Sequence, residues 1–296
     1  MPAHPRDSYK PRSSVRMLAF ALVFCGTIVN YGVAKADQAS APLSPSPTAS
    51  LSPEDAPDFD APLVPSLWFS LEDEVSPSYD GLSGSSNQIN VRGQIPLGAI
   101  AQKIPTLLLP HTLQLIKFKV PIVTSAPPGA QKGNGDTTLT FLEYLGSKEA
   151  KWVLGPLFKI PTASSADLGS GKWSGGPSGG YVYSHGMTVI GWFASTYFSF
   201  AGPKSRANVS QTEFQPQLSF ALKNGWILGT SQMNFKYNWE NNQWPAVPLG
   251  VRIARNYRYT GGQLAAGVEA EKNLAAVDGT PGWTFRLNFK YRFSSH

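Results

Sequence analysis

The sequence predicts an all-β protein: a single antiparallel, transmembrane up-and-down β-barrel of about twelve strands. Segments of about ten residues alternate between apolar and polar side chains, and long and short connections tend to alternate between them. After the N-terminal leader, no uninterrupted apolar run approaches the ~18 residues that a membrane-spanning helix requires. Because only helices and closed barrels satisfy their backbone polar groups in lipid, an exported chain of this kind is either a barrel or a soluble secreted protein.

The last strand, residues 283–293, shows the alternation most clearly. Successive side chains of a strand point to opposite faces, so this segment has one apolar, largely aromatic face and one polar, largely cationic face. Outward apolar and inward polar side chains, with aromatic girdles at both interfaces, are typical of transmembrane barrels. The apolar face carries Trp283, Phe285, Leu287, Phe289, Tyr291 and Phe293; the polar face carries Thr284, Arg286, Asn288, Lys290 and Arg292.

Residues 66–296 are assigned to the barrel, and the same pattern recurs along them. The alternation is clear on predicted strands two, eight, nine, ten and eleven, but poor on strands three to five, whose facing the sequence leaves open. The predicted strands are 66–76, 87–95, 108–122, 136–145, 151–161, 173–184, 186–200, 211–222, 225–239, 243–257, 261–272 and 281–293.

The connections support this assignment independently. Ser184-His185-Gly186, Lys223-Asn224-Gly225 and Thr260-Gly261-Gly262 are tight turn sequences, whose glycines provide the positive φ of hairpin turns. The connections after strands three, five, seven and eleven are longer and rich in Gly, Ser, Pro and Asp, which is typical of external loops. The long stretch 96–107 and the short stretch 240–242 depart from the alternation.

The N-terminus predicts export to the bacterial outer membrane of a Gram-negative cell. Residues 1–36 form a signal peptide with a basic leader, an apolar run and the A-x-A cleavage site Ala34-Lys35-Ala36. We expect the mature chain to begin near Asp37 with a disordered, Pro/Ser-rich segment, residues 37–65. Cleavage removes Cys25, the single cysteine, and most of the formal net charge of +6, so the charge indicates no nucleic-acid partner.

A set of short motifs in residues 66–293 resembles a known family. The most specific stretch is Leu168-Gly-Ser-Gly-Lys-Trp-Ser174 with Gly176-Pro177, accompanied by Leu67-Trp-Phe-Ser-Leu71, Arg92-Gly-Gln-Ile-Pro96 and Phe198-Ser-Phe-Ala-Gly202. The chain is similar to the outer-membrane barrels linked to the meta-pathway of phenol degradation, described as transporters. The resemblance implies a barrel in the outer membrane and, from the family name alone, hydrophobic or aromatic solutes.

Two motifs associated with catalysis or nucleotides are interpreted as structural. Gly176-Pro-Ser-Gly-Gly180 matches G-x-S-x-G, but glycines and Tyr181-Val182-Tyr183 surround it where the motif requires a helix. Gly169-Ser-Gly-Lys172 lacks the full phosphate-loop spacing.

The mature histidines, His111, His185 and His296, are far apart in sequence and show no metal-ligand spacing, and His111 is only a weak catalytic candidate. We therefore expect no enzyme activity, no metal and no cofactor.

The inward-facing charges are the main functional signal, because charged rings in a pore select ions by sign. We expect Glu269 and Glu271 to neutralise part of the charge on the last strand, whereas Lys236 and Arg252 have no assigned acid and should favour anions. The alternative is a narrow interior filled by salt bridges without flux. The candidate lumen-lining residues are Arg92, Lys236, Arg252, Arg286, Lys290, Arg292, Glu213, Glu269 and Glu271.

The predicted function is a channel or transporter for small solutes. Two alternatives stay open: a membrane-embedded hydrolase or acyltransferase, which needs a Ser–His–polar constellation, and a structural barrel without transport. The expected partners are outer-membrane lipid, the barrel-assembly machinery and small-molecule solutes.

Overall fold

The computed structural model describes residues 66–97, 113–127, 129–147, 150–275 and 277–294. The predicted signal peptide, the predicted segment 37–65, His111 and His296 lie outside these ranges. In the described part of the chain, no helix has the length and apolar character needed to cross a membrane.

Fifteen strands make up the described fold. They are β1 Trp68–Tyr79, β2 Ser86–Pro96, β3 Leu113–Ser125, β4 Gly133–Asn134, β5 Thr137–Gly146, β6 Ala150–Ile160, β7 Trp173–His185, β8 Thr188–Ala201, β9 Ser210–Ala221, β10 Trp226–Thr230, β11 Phe235–Asn238, β12 Gln243–Ala246, β13 Pro248–Tyr259, β14 Gly262–Asn273 and β15 Pro281–Phe293. A 3-10 turn, Lys223–Gly225, joins β9 to β10.

These strands form a closed, antiparallel barrel of twelve strands, as the sequence predicts. Each strand of the wall pairs with its neighbour in sequence, and β1 closes the barrel against β15, with Leu71 opposite Phe289. The strand count falls from fifteen to twelve because β4 is a two-residue extension beside β3, while β10 with β11, and β12 with β13, each occupy one position in the wall.

Two predicted strands are not continuous, and here the sequence interpretation was wrong. Predicted strand 225–239 is divided into β10 and β11 by the segment Ser231–Asn234, and predicted strand 243–257 is divided into β12 and β13 at Val247. β9 pairs with β10 near one end and with β11 near the other, so the barrel stays closed around the break. We call Ser231–Asn234 the crossing segment, because its residues leave the wall and contact side chains of the interior.

The alternation predicted for the last strand is present. Trp283, Phe285, Leu287 and Phe289 are 42–45% exposed on the outer surface. Asn288, between two of them, is 1% exposed. The wall therefore has an apolar outer face and a buried polar inner face, as in a membrane barrel.

The two ends of the barrel differ. The three predicted tight turns join β7 to β8, β9 to β10 and β13 to β14 at the end where β1 begins, near Trp68, and β15 finishes, near Phe293. We call this end the terminal rim. The longer connections 126–136, 161–172, 202–209 and 274–280 lie at the opposite end, the loop rim. The exceptional connection after β2 falls largely in 98–112, outside the described residues.

Candidate functional site

All nine charged residues predicted to line the interior lie on the inner face of their strands. Register and burial assign this face: Arg252 opposes Glu269, for example, and both are at most 4% exposed. Lys236 and Glu213 also oppose each other and are half-buried. The others are Arg92, Glu271, Arg286, Lys290 and Arg292. Their part in a solute path stays a prediction.

Arg286 on β15 connects its own strand to β1 and β14. Its Nε donates to Glu74 Oε2 at 2.9 Å, and its Nη1 and Nη2 donate to the two oxygens of Glu271 at 3.1 and 3.2 Å. Nη1 also lies 3.7 Å from Glu269 Oε2. A guanidinium presents its donors in a fixed fork, so one arginine joins the carboxylates of β1 and β14. The expected neutralisation between the last two wall strands is therefore present.

The expectation that Arg252 and Lys236 have no acidic partner was wrong. Arg252 Nη1 lies 3.9 Å from Glu269 Oε1, and its Nη2 donates to Ser219 Oγ at 3.0 Å. Lys236 occupies the register position opposite Glu213. Side chains directly opposite each other on neighbouring strands are in contact range, so once the register is known both cations have an acid.

A second contact crosses the interior. Arg92 on β2 makes a 2.8 Å ion pair with Glu72 on β1 and donates at 2.8 Å to Gln232 Oε1. Gln232 Nε2 donates in turn to Glu72 Oε2. Gln232 lies in the crossing segment, and three wall positions (β13, β14 and β15) separate β10 from β1. This contact therefore spans the lumen rather than following the wall.

Acidic side chains hold the crossing segment in place. The backbone N–H of Gln232 donates to Glu269 at 3.1 Å, and that of Met233 donates to Glu271 at 3.0 Å. Ser231 Oγ adds a 2.9 Å bond to Glu271. Buried backbone donors need partners, and here carboxylates of β14 replace the carbonyls of a neighbouring strand. We call these residues the central cluster: Glu72, Glu74, Arg92, Gln232, Arg252, Glu269, Glu271 and Arg286.

The far end of the crossing segment joins a different group. Asn234 Nδ2 donates to Glu213 Oε2 at 2.8 Å. Lys159 Nζ lies 3.1 Å from Glu213 Oε1, and Tyr197 Oη donates to the same oxygen at 2.6 Å. Lys159 Nζ also lies 4.1 Å from the centre of the Tyr197 ring, which adds a cation–π contact. We call Lys159, Tyr197, Glu213 and Asn234 the lysine cluster.

Together, the crossing segment and the two clusters form a polar layer across the barrel. The central cluster has three arginines against four glutamates, and Lys159 and Lys236 face the fifth acid, Glu213. Lys119 lies opposite Arg92 and adds one further cation at this level, so most but not all of the charge is paired. A layer of paired charges discriminates ions by sign much less than a ring of one sign does.

Nearer the terminal rim, the inner face carries large apolar side chains beside the cations Lys117, Lys290 and Arg292. Leu115 and Leu142 oppose each other and are 0% and 1% exposed, so this face of the poorly alternating strands is inward. Trp68 is 1% exposed, with Lys290 Nζ 4.1 Å from its ring centre. Large buried hydrophobic side chains make the interior here compatible with apolar solutes. The other members of this apolar belt are Val153, Val182, Val189 and Ile227.

Four important interior residues were missed in the sequence. Glu72 and Glu74 were missed because the acidic Asp73 between them interrupts the apolar–polar alternation. Leu71 and Val75 on the opposite face still follow it. Lys159 lies on a strand that alternates poorly. Nothing about Gln232 alone distinguishes it from a surface glutamine. However, residues 230–232 are all polar, which indicates that predicted strand 225–239 is interrupted there.

The G-x-S-x-G match, the loop at 169–172 and His185 have packing or hydrogen-bonding roles in the structure. Ser178 lies within β7 and donates to Gly155 O at 2.8 Å, with strand on both sides. Gly176 is a close-packing position, because a Cβ there would lie 2.0 Å from the carbonyl oxygen of Thr196. In the possible phosphate loop, the N–H of Ser170 already donates to Asp136 at 2.7 Å. His185 is exposed and stacked on Tyr183. The described residues contain no His, Cys, Asp and Glu group able to hold a metal ion.

Comparison with known proteins shows the class of fold. The structure is similar to that of an outer membrane channel from Pseudomonas putida F1, with a TM-score of 0.52 and 16% sequence identity. The similarity covers 81% of this chain and 99% of the channel. No protein-family model matches the sequence, and no curated protein matches it. The chain therefore has the barrel fold of an outer membrane channel, and neither family nor solute follows from the comparison.

Proposed function

We propose that this protein is an outer-membrane channel for small solutes, with its path through the barrel interior and without catalysis. The observation that carries the proposal is the combination of an apolar outer wall with a polar, charged interior. Val251 is 64% exposed beside Arg252, which is 3% exposed. Water disfavours a continuous apolar outer band, whereas the hydrocarbon layer of a membrane favours it. Lipid and the barrel-assembly machinery are the partners this location implies.

The solutes we propose are uncharged and hydrophobic or aromatic. The side chains of the apolar belt are packed together near the terminal rim, so a solute that parts them meets apolar surroundings, and the paired charges of the central cluster do not favour one ionic sign. The motif resemblance to the phenol-degradation barrels points to the same class of solutes. Membership of that family is part of the proposal.

The crossing segment defines where transport is controlled. Gln232 bridges from one side of the lumen to Glu72 and Arg92 on the other, so its side chain obstructs the interior at this level. A solute either passes beside the segment or displaces Gln232 from these partners. In both cases, shortening the Gln232 side chain widens the path.

Planar-bilayer recording of the refolded protein tests the proposal. We expect discrete single-channel currents with weak ion selectivity in a salt gradient, and a reduction of current by an uncharged aromatic probe, indole, at concentrations where glucose has no effect. Absence of conductance from folded protein would favour the structural barrel. Equal reduction by indole and glucose would contradict the proposed solute class.

A further inference from the structure

One arginine lies on the wrong face for a channel residue. Arg255 on β13 follows the outward side chains Val251 and Ile253, and it opposes Trp226 of β10. Trp226 is 40% exposed on the outer surface. Arg255 therefore projects from the outer wall, where a cation in contact with hydrocarbon is unfavourable unless it reaches the interface or an anion.

Two aromatic rings flank the guanidinium. Its Cζ lies 5.5 Å from the centre of the Trp226 ring and 5.1 Å from that of Tyr257, which are cation–π distances. Trp and Tyr concentrate at membrane interfaces, where an apolar ring meets the polar headgroups. The rings hold the guanidinium in place but neutralise none of its charge.

No acid of the neighbouring wall reaches Arg255. On β10, β13 and β14, all fully described, the acidic residues are Glu269 and Glu271, and both are on the inner face. Arg255 Nε is buried and has no hydrogen-bond partner within the described residues. On the other side, the residue opposite Arg255 on β14 is Ala266, whose side chain has no polar group to offer the guanidinium. Arg255 is partly exposed as a whole, and a cation on the outer wall without an acid on these three strands can bind an external anion.

The position of Arg255 across the membrane indicates which anion is available to it. Arg255 precedes Tyr257, Tyr259 and the turn at Gly261, so it lies roughly 13 Å along the strand from the terminal rim. Short turns and both ends of the chain lie on the periplasmic side of such barrels. Since strands are tilted, Arg255 is near the level of the periplasmic headgroups, and the leaflet there consists of glycerophospholipids.

We propose that Arg255, Trp226 and Tyr257 form a binding site for the phosphate of a glycerophospholipid in the periplasmic leaflet. The guanidinium donates to the phosphate oxygens, and the two rings pack against the glycerol and the upper acyl chains. The site rests on the membrane placement in the proposed function, but not on conduction.

The test is lipid binding to the refolded protein in detergent, measured by native mass spectrometry with dioleoylphosphatidylglycerol. Arg255→Gln should weaken binding about fivefold, the effect of one basic residue at an anionic lipid surface. Arg258→Gln removes the same charge from the inner face of the same strand and should leave binding unchanged. Dioleoylglycerol, which lacks the phosphate, should bind all variants equally. Arg255→Lys keeps the charge without the planar fork and should give intermediate binding.

The outcomes separate the alternatives. Unchanged binding in folded Arg255→Gln, or an equal loss in Arg258→Gln, would overturn the site. Inorganic phosphate binding with the same dependence on Arg255 would show a free-anion site instead of a lipid site. Should Arg255→Gln not fold, parent-like phosphatidylglycerol binding by Arg255→Lys would count against the proposed fork contact. Lipid binding without conductance would contradict the channel and leave the lipid site standing.

Discussion

Removing the Arg286 guanidinium should destabilise the barrel strongly. Arg286 is the one side chain that contacts Glu74, Glu269 and Glu271 together among the described contacts, and only 9% of its side chain is exposed. Breaking a buried ion pair from one side costs about 3–5 kcal/mol, because the remaining charge is left without compensation. Glu271 keeps donors from Ser231 and Met233. The expected loss for Arg286→Gln is therefore at the lower end, about 3 kcal/mol.

Urea unfolding in lipid vesicles, followed by the gel mobility of folded and unfolded protein, measures this loss. The double variant Arg286→Gln/Glu271→Gln removes the cation together with one of its acids, so it should regain about half of the lost free energy of unfolding. Lys204→Gln removes an exposed charge from a loop and should change stability by less than about 0.5 kcal/mol. A free energy of unfolding for Arg286→Gln equal to that of the parent, or a double variant no more stable than the single one, would refute the reasoning.

Two further predictions concern the wall. Phe289→Asp should lower the yield of heat-modifiable, folded barrel more than Asn288→Ser, because Phe289 is 44% exposed toward lipid whereas Asn288 is buried inside; equal yields would contradict the assigned faces. Gly176→Val should prevent folding, since its Cβ alone would lie 2.0 Å from Thr196 O, while Gly261→Ala, with open space beyond 3.6 Å, should fold normally. Comparable folded fractions by gel mobility would argue against close packing at Gly176.

The fold was largely predictable because the sequence of each strand alone shows which of its side chains face outward and which face inward. The last strand shows it: every second residue from Trp283 to Phe293 is apolar, and the structure exposes these residues outward. Turn sequences such as Lys223-Asn-Gly225 fixed the hairpins, with Asn224 and Gly225 at positive φ. These signals are local and need no knowledge of strand pairing.

The interior contacts were less predictable because they depend on pairing. Arg252 and Glu269 were both assigned inward, yet only the register brings them opposite each other. The crossing segment was missed for the same reason, since its backbone donors bind acids that lie 37 and 38 residues away in sequence. The polar run of residues 230–232 indicates that the strand ends, but only the acidic partners show that the segment turns inward.

Substituted-cysteine recording tests the central claim most directly, that solutes pass through the interior beside the crossing segment. The sequence has one cysteine, Cys25, so Cys25→Ser gives a background without thiols. On this background, Gln232→Cys should conduct more than the parent, and a charged thiol reagent should then reduce its current. Val251→Cys, 64% exposed on the outer wall, should conduct like the parent and be insensitive to the reagent. Current through Gln232→Cys that the reagent leaves unchanged, or equal sensitivity of both variants, would contradict a path through the barrel.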